Sequence, residues 1–184
     1  MSSDKSAFAE LLSRMDNHSP SLWSGDVVLK RNEMLYSAGE INTNVYFVTE
    51  GALHIYHEAE SGLYTIRFGY KNSLFVPLDS FLTGKPSVYS VQAIKHTALK
   101  IMTKQAFIDF INCETENLEL WNRVQSATIA SLLEREIDIL ASSPKERYNR
   151  VLERSPQLFQ EIPHKYIASY LRMAPETLSR LQKS

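Results

Sequence analysis

Cysteine is nearly absent from this chain. Its one copy among 184 residues, Cys113, excludes an intrachain disulfide framework and a four-cysteine zinc or iron–sulfur site, and it fits a reducing cytoplasm. Histidine is also sparse, at five residues, too few and too scattered to predict the clustered His and carboxylate ligands of a metal-dependent barrel enzyme. The N-terminus, Met1-Ser-Ser-Asp-Lys-Ser, has no apolar signal core, and no apolar run approaches membrane-spanning length. These absences predict a soluble cytoplasmic protein with no membrane partner. No set of nucleophile, base and orienting residue is visible, so no enzyme is expected, and no cofactor or metal site is predicted. What is present, 43% hydrophobic residues, suffices for one main core and a small satellite domain.

The net charge of −1 conceals an asymmetry. Residues 145–184 hold eight Lys/Arg against four Asp/Glu, a net +4, which leaves −5 on residues 1–144. The basic end contains Ile162-Pro-His-Lys-Tyr-Ile-Ala-Ser-Tyr-Leu-Arg-Met-Ala-Pro-Glu-Thr-Leu-Ser-Arg-Leu-Gln-Lys-Ser184, whose spacing predicts two short helices crossing at a tight turn. Ile167, Leu171, Met173, Leu178 and Leu181 form one apolar seam, Ala168 permits close approach, and Pro175 sets the first turn of the second helix. The outward face of that helix then carries Glu176, Thr177, Ser179, Arg180 and Lys183. An arginine in the major groove can hold guanine O6 and N7, and a glutamate can accept from cytosine N4, so Arg180 and Glu176 are the candidate base readers. Lys165, Arg172 and Lys183 are candidates for phosphate contact. The same segment also fits an ordinary helical hairpin with a solvated charged face. Arg172 stands where glycine would take a left-handed turn, and Ala174 where a hydroxyl would cap, at about 1 kcal/mol each.

The N-terminal portion reads differently. Phe8, Leu11, Leu12 and Met15 predict a short helix over Ala7 to Met15, ended by Asn17-His-Ser-Pro20. From about Val27 to Met102, short Val-, Ile-, Tyr- and Phe-rich runs recur every eight to twelve residues, with glycines between them. That rhythm predicts an antiparallel barrel or jelly roll. Helical periodicity returns at Lys104 to Ile111 and dominates from Asn117 to Ala141. There Trp121, Val124, Thr128, Leu132 and Ile139 trace one apolar stripe, and Ile129, Leu133, Ile137 and Leu140 a neighbouring one. Two stripes require two partners, the roll and a second copy of the chain, and the first stripe is assigned to the dimer. A single broad core stripe in a monomer is the other reading. Ser142 to Lys145 reads as a hinge.

In this order, a roll, a long helix, a hinge and a terminal helix-turn-helix, the chain resembles the Crp/Fnr family of bacterial transcription regulators. Leu35 to Glu40 resembles the turn before the family's central hairpin, Val45 to Tyr56 the hairpin, and Pro175 to Arg180 the recognition-helix motif. The resemblance implies an α+β protein in three parts: a cyclic-nucleotide-binding-like sensory roll with flanking helices (1–116), a dimerisation helix (117–142) and a helix-turn-helix domain (143–184). It also implies homodimers on two-fold symmetric double-stranded DNA.

The resemblance has departures. Where cyclic-nucleotide-binding members place a glycine and a glutamate for the ribose, then an arginine and a small hydroxyl residue for the phosphate, this chain has Val76, Pro77, Ser87 and Val88. A buried cyclic phosphate would lose its arginine, so tight binding of cAMP or cGMP is not expected. Phe75, Leu78, Phe81, Ser87 and Tyr89 remain candidates to surround an unidentified small effector, against a roll filled by its own side chains. The chain stops at Ser184, before the family's usual β-wing. A ligand- or protein-binding module whose terminal helices no longer hold DNA is the alternative function.

Overall fold

The computed structural model describes residues 2–18 and 21–183, so Ser19 and Pro20 of the expected N-terminal breaker, and the terminal Ser184, lie outside the described residues. A first helix, α1 (Ser2–Asn17), is longer than its periodicity predicts; Ala7, Leu11 and Met15 are fully buried along one face. Eight antiparallel strands follow: β1 (Gly25–Leu29), β2 (Met34–Tyr36), β3 (Val45–Glu50), β4 (Ala52–Ala59), β5 (Gly62–Tyr70), β6 (Ser73–Phe75), β7 (Ser90–Ala93) and β8 (Thr97–Met102). They form two four-stranded sheets ordered β1-β8-β3-β6 and β2-β7-β4-β5, the expected roll. Leu53, Val91, Val48 and Leu99 fill its interior from both sheets. Gly51 joins β3 to β4 at φ +88, which L-residues rarely adopt, and it lies so close to β8 that an added Cβ would sit 2.3 Å from the His96 carbonyl oxygen. Strand β6 has no counterpart in the sequence-based expectation.

Between β6 and β7 runs one short helix, α2 (Leu78–Thr83), closed by Gly84 in the left-handed conformation. After the roll come α3 (Lys104–Cys113), capped by the Thr103 hydroxyl, and the long α4 (Thr115–Leu140). A second core joins α1, α3 and the start of α4 around Leu11, Phe107, Phe110 and Leu120. Trp121 meets Phe107 edge to face at 4.9 Å, and Val124 packs against the same cluster. This corrects the side of α4 assigned to a second copy: Trp121 and Val124 serve the chain's own core, Thr128 and Ile139 are half-buried, and only Leu132 of that stripe is exposed. The bare apolar face is the neighbouring stripe, with Ile129 58%, Leu133 58%, Ile137 52% and Leu140 75% exposed. Docking against α1 and α3 decided between two stripes that the helical period alone left equivalent.

Four short helices complete the chain: α5 (Pro144–Arg154), α6 (Pro156–Glu161), α7 (His164–Tyr170) and α8 (Pro175–Lys183). Ser143 caps α5 at the expected hinge, accepting from the Glu146 N–H, with Pro144 in the first turn. A third core unites these helices with the outer side of the roll, since Val151, Leu158, Ile162, Ile167, Leu171 and Leu178 cluster with Ala52 and Ile94. Each fully buried Leu or Ile there contributes roughly 1.5–3 kcal/mol.

Candidate nucleic-acid interface

The helix pair forms from the seam the sequence predicts. Ile167, Ala168, Leu171 and Leu178 are buried at 1% exposure or less, while Met173 and Leu181 are half-buried. Helix α7 ends with the Met173 N–H donating to the Ala168 carbonyl and the Arg172 N–H to Ser169, the six-to-one closure of a left-handed turn. Arg172 carries that turn at φ 52, at the position where glycine is usual. The strain is offset from another helix. The Arg147 guanidinium on α5 donates to the Leu171 carbonyl at 2.8 Å and the Arg172 carbonyl at 3.2 Å, satisfying groups that a helix end leaves open. The same guanidinium donates to the Ala141 carbonyl at 2.6 Å and the Ser142 carbonyl at 3.2 Å, at the end of α4.

With Leu178 inward, α8 turns Glu176, Arg180 and Lys183 to solvent; Thr177 and Ser179 are half-buried on its flanks. Lys165 and Arg172 are exposed, Lys165 resting over the Tyr166 ring. The basic excess of residues 145–184 is only partly available to a ligand. Arg147 is occupied at helix ends, and Arg150 and Arg154 pair with Asp138, which is fully buried on α4, at 3.0 and 2.6 Å. Sequence reasoning missed this internal use, because an arginine paired through 12 or more residues of separation looks identical to a free one.

The helix pair also docks on the roll. His54 on β4, 3% exposed, shares a hydrogen bond of 2.9 Å with Thr65 on β5, and the Thr65 hydroxyl meets the Ser169 hydroxyl of α7 at 2.8 Å. Burial, with Lys165 adding repulsion, pushes the His54 imidazole down to about 4, so it is neutral in this contact. His57 is separately engaged with the Val88 carbonyl. Among the described residues no group of three or more His, Cys, Asp or Glu is placed to hold a metal.

The five residues expected to surround an effector do not come together. Phe81 belongs to the core of α1 and α3, Phe75 and Tyr89 to the core of the roll, and Leu78 is exposed. Ser87 is buried, but its hydroxyl donates to the Asp79 carboxylate at 2.9 Å, and the Val88 N–H donates to the same oxygen at 2.9 Å. The two positions matched to the family's phosphate ligands therefore already hold an anion, supplied by α2. The sequence carries no signal for this, because Asp79 reads simply as a first-turn acid.

A β-roll linked through a long helix to a docked helix-turn-helix is a fold shared with solved structures of CRP-family regulators. Residues 26–113 match the family described as the cyclic nucleotide-binding domain. Solved structures with the same fold include FixK2 from Bradyrhizobium japonicum, 16% identical with a TM-score of 0.70, covering 86% of this chain and 82% of that one. A CooA variant from Carboxydothermus hydrogenoformans is 15% identical with a TM-score of 0.71 over 94% of this chain and 82% of that one. A CRP-family transcriptional regulator from Thermus thermophilus is 17% identical with a TM-score of 0.61 over 85% and 82%. No curated protein matches the sequence. No helix among the described residues is long and apolar enough to cross a membrane.

Proposed function

We propose that the chain is a DNA-binding transcription regulator, not an enzyme, which acts as a cytoplasmic homodimer and whose roll binds neither cAMP nor cGMP. The observation that carries this reading is the posture of α8: Leu178 anchors it at zero exposure while Glu176 and Arg180 stand free on the opposite side. Arg180 and Glu176 read base edges, with Thr177 and Ser179 beside them; Lys165, Arg172 and Lys183 meet phosphates. The bare stripe Ile129, Leu133, Ile137 and Leu140 on α4 pairs with its copy, bringing two α8 helices to a two-fold symmetric site. Residues 1–116, 117–142 and 143–184 are the sensory, dimerising and DNA-reading parts. The Asp79 carboxylate on Ser87 and Val88 supports the absence of cyclic-nucleotide binding, because a phosphate there would meet a fixed negative charge.

Selection of bound sites from a random duplex library tests the reading. A two-fold symmetric consensus is expected, and Arg180→Ala should relax preference at one base pair per half-site by about 1–3 kcal/mol. An identical consensus for parent and variant removes Arg180 from its role. The internal use of Arg147, Arg150 and Arg154 favours one second reading, a signal- or protein-binding module with weak hold on DNA. A mobility shift that shows no retardation near about 50 mM salt selects it.

A further inference from the structure

A cavity of about 160 Å³ lies where the roll, the long helix and the terminal helices meet, lined by Arg67, Phe68 and Tyr70 of β5, Ser131 and Arg135 of α4, Val151 and Ser155 near α5, Leu158 of α6 and Tyr170 of α7. Its wall has two guanidiniums and several hydroxyls, and no carboxylate. Arg67 is half-buried and makes no hydrogen bond or ion pair to any described residue. Arg135 lies over the Tyr170 ring at 3.7 Å and donates from Nη2 to the Tyr170 carbonyl at 2.7 Å, but its Nε is buried with no acceptor. Both guanidiniums flank Tyr170, and burial lowers the pKa of each below the usual arginine range.

This is an unusual use of charge. Removing a guanidinium from water without an acceptor is costly, and buried charges are nearly always paired. The other half-buried arginines of the region follow that rule: Arg150 and Arg154 share Asp138, and Arg147 caps helix ends. Arg67 without a partner and the open Nε of Arg135, on a guanidinium otherwise held by Tyr170 with Asp138 nearby, leave donors on one concave wall that an anion would satisfy. The guanidinium fork matches the oxygens of a phosphate group, and Ser131 and Ser155 line the same wall. The volume admits a phosphate or a small phosphate ester and is too small for a dinucleotide.

We propose that this cavity binds a phosphate group, free or on a small ester, held between Arg67 of the roll and Arg135 of the long helix. The ligand would bridge the roll to the long helix beside Tyr170 of α7, so its occupancy bears on how the helix pair sits on the roll. The site differs from the cassette of Ser87 and Val88, and it does not require that the chain bind DNA.

Calorimetric titration of the full chain with inorganic phosphate, glycerol phosphate and succinate tests this. Saturable one-site binding is expected for phosphate, weaker binding for succinate, and Arg67→Gln should weaken phosphate about 10- to 100-fold. Because Arg67 holds no structural partner, that variant should keep the parent's melting temperature; Lys85→Gln, on a remote exposed loop, should bind as the parent does. Phosphate should also slow amide exchange in α7. Saturation by both phosphate compounds assigns the site to an ester, and by inorganic phosphate alone to the free anion. Absence of saturable phosphate binding, unchanged affinity in Arg67→Gln, or tighter binding of succinate overturns the proposal.

Discussion

His54 in the roll and Ser169 in the helix-turn-helix are joined through a single hydroxyl, that of Thr65, at 2.9 and 2.8 Å. The link lies beside Tyr166, whose ring meets the imidazole edge to face at 4.8 Å. The contact between the two parts of the molecule is therefore built around a neutral, buried imidazole.

That neutrality sets a pH dependence. The His54 pKa falls from 6.5 to about 4 in the folded chain, so below pH 6.5 the unfolded state takes up a proton that the native state refuses. Stability is unaffected above that range and declines as pH falls toward 4, by up to about 1.4 kcal/mol per pH unit. Urea midpoints at pH 7.5 and 5.0 should separate clearly for the parent and less for His54→Gln. Equal separation in both would remove His54 as the cause.

Gly51 and Gly39 offer a matched pair. Both have positive φ, +88 and +93, but a Cβ at Gly51 meets the His96 carbonyl oxygen at 2.3 Å whereas one at Gly39 meets nothing within 4 Å. Gly39→Ala should cost about 1 kcal/mol from backbone conformation alone. Gly51→Ala adds a backbone collision and should cost roughly 3 kcal/mol or more, or prevent folding. Equal losses in a denaturant titration would contradict the close approach of β8.

Asp138 is the fully buried acid that ties α4 to α5 through Arg150 and Arg154. Asp138→Ala leaves two guanidiniums without their shared partner and should cost about 3–5 kcal/mol. A loss below about 1 kcal/mol, the range of exposed ion pairs, would show that solvent reaches the pair.

On α4, Leu133→Glu and Ile137→Glu alter side chains that are more than half exposed in the single chain. They should leave the melting temperature of the isolated chain nearly unchanged, shift the mass seen by light scattering from dimer to monomer, and weaken operator binding. Trp121→Ala should instead destabilise the fold, at the low end of roughly 3–5 kcal/mol. A dimer that survives both glutamates would place the interface elsewhere.

The parts of this fold legible in the sequence are those made by near neighbours. The Ile167 to Leu181 seam closes within 15 residues, and its apolar period, with Pro175 at the start of α8, specified both helices and the half of α8 that faces water. Strand β6 was illegible because it is three residues long and follows Asn72, a left-handed turn position filled by a residue other than glycine. Trp121 and Val124, assigned to a second copy, went instead to the chain's own core, because the two apolar stripes of α4 differ only in what docks on them. Arg67, Arg135 and Tyr170 meet in one cleft from three elements far apart in the chain, and none of them belongs to a local motif. Asp79 escaped notice for a related reason: its meaning comes from the loop that folds back to offer it Ser87 and Val88.

Arg147 has a mechanical consequence. One guanidinium grips the carbonyls that finish the long helix and those that finish α7. The end of α4 cannot rotate without towing the turn beneath α8 or releasing four hydrogen bonds together. The end of α4 is thus tied directly to the turn that precedes α8 and its exposed Glu176 and Arg180.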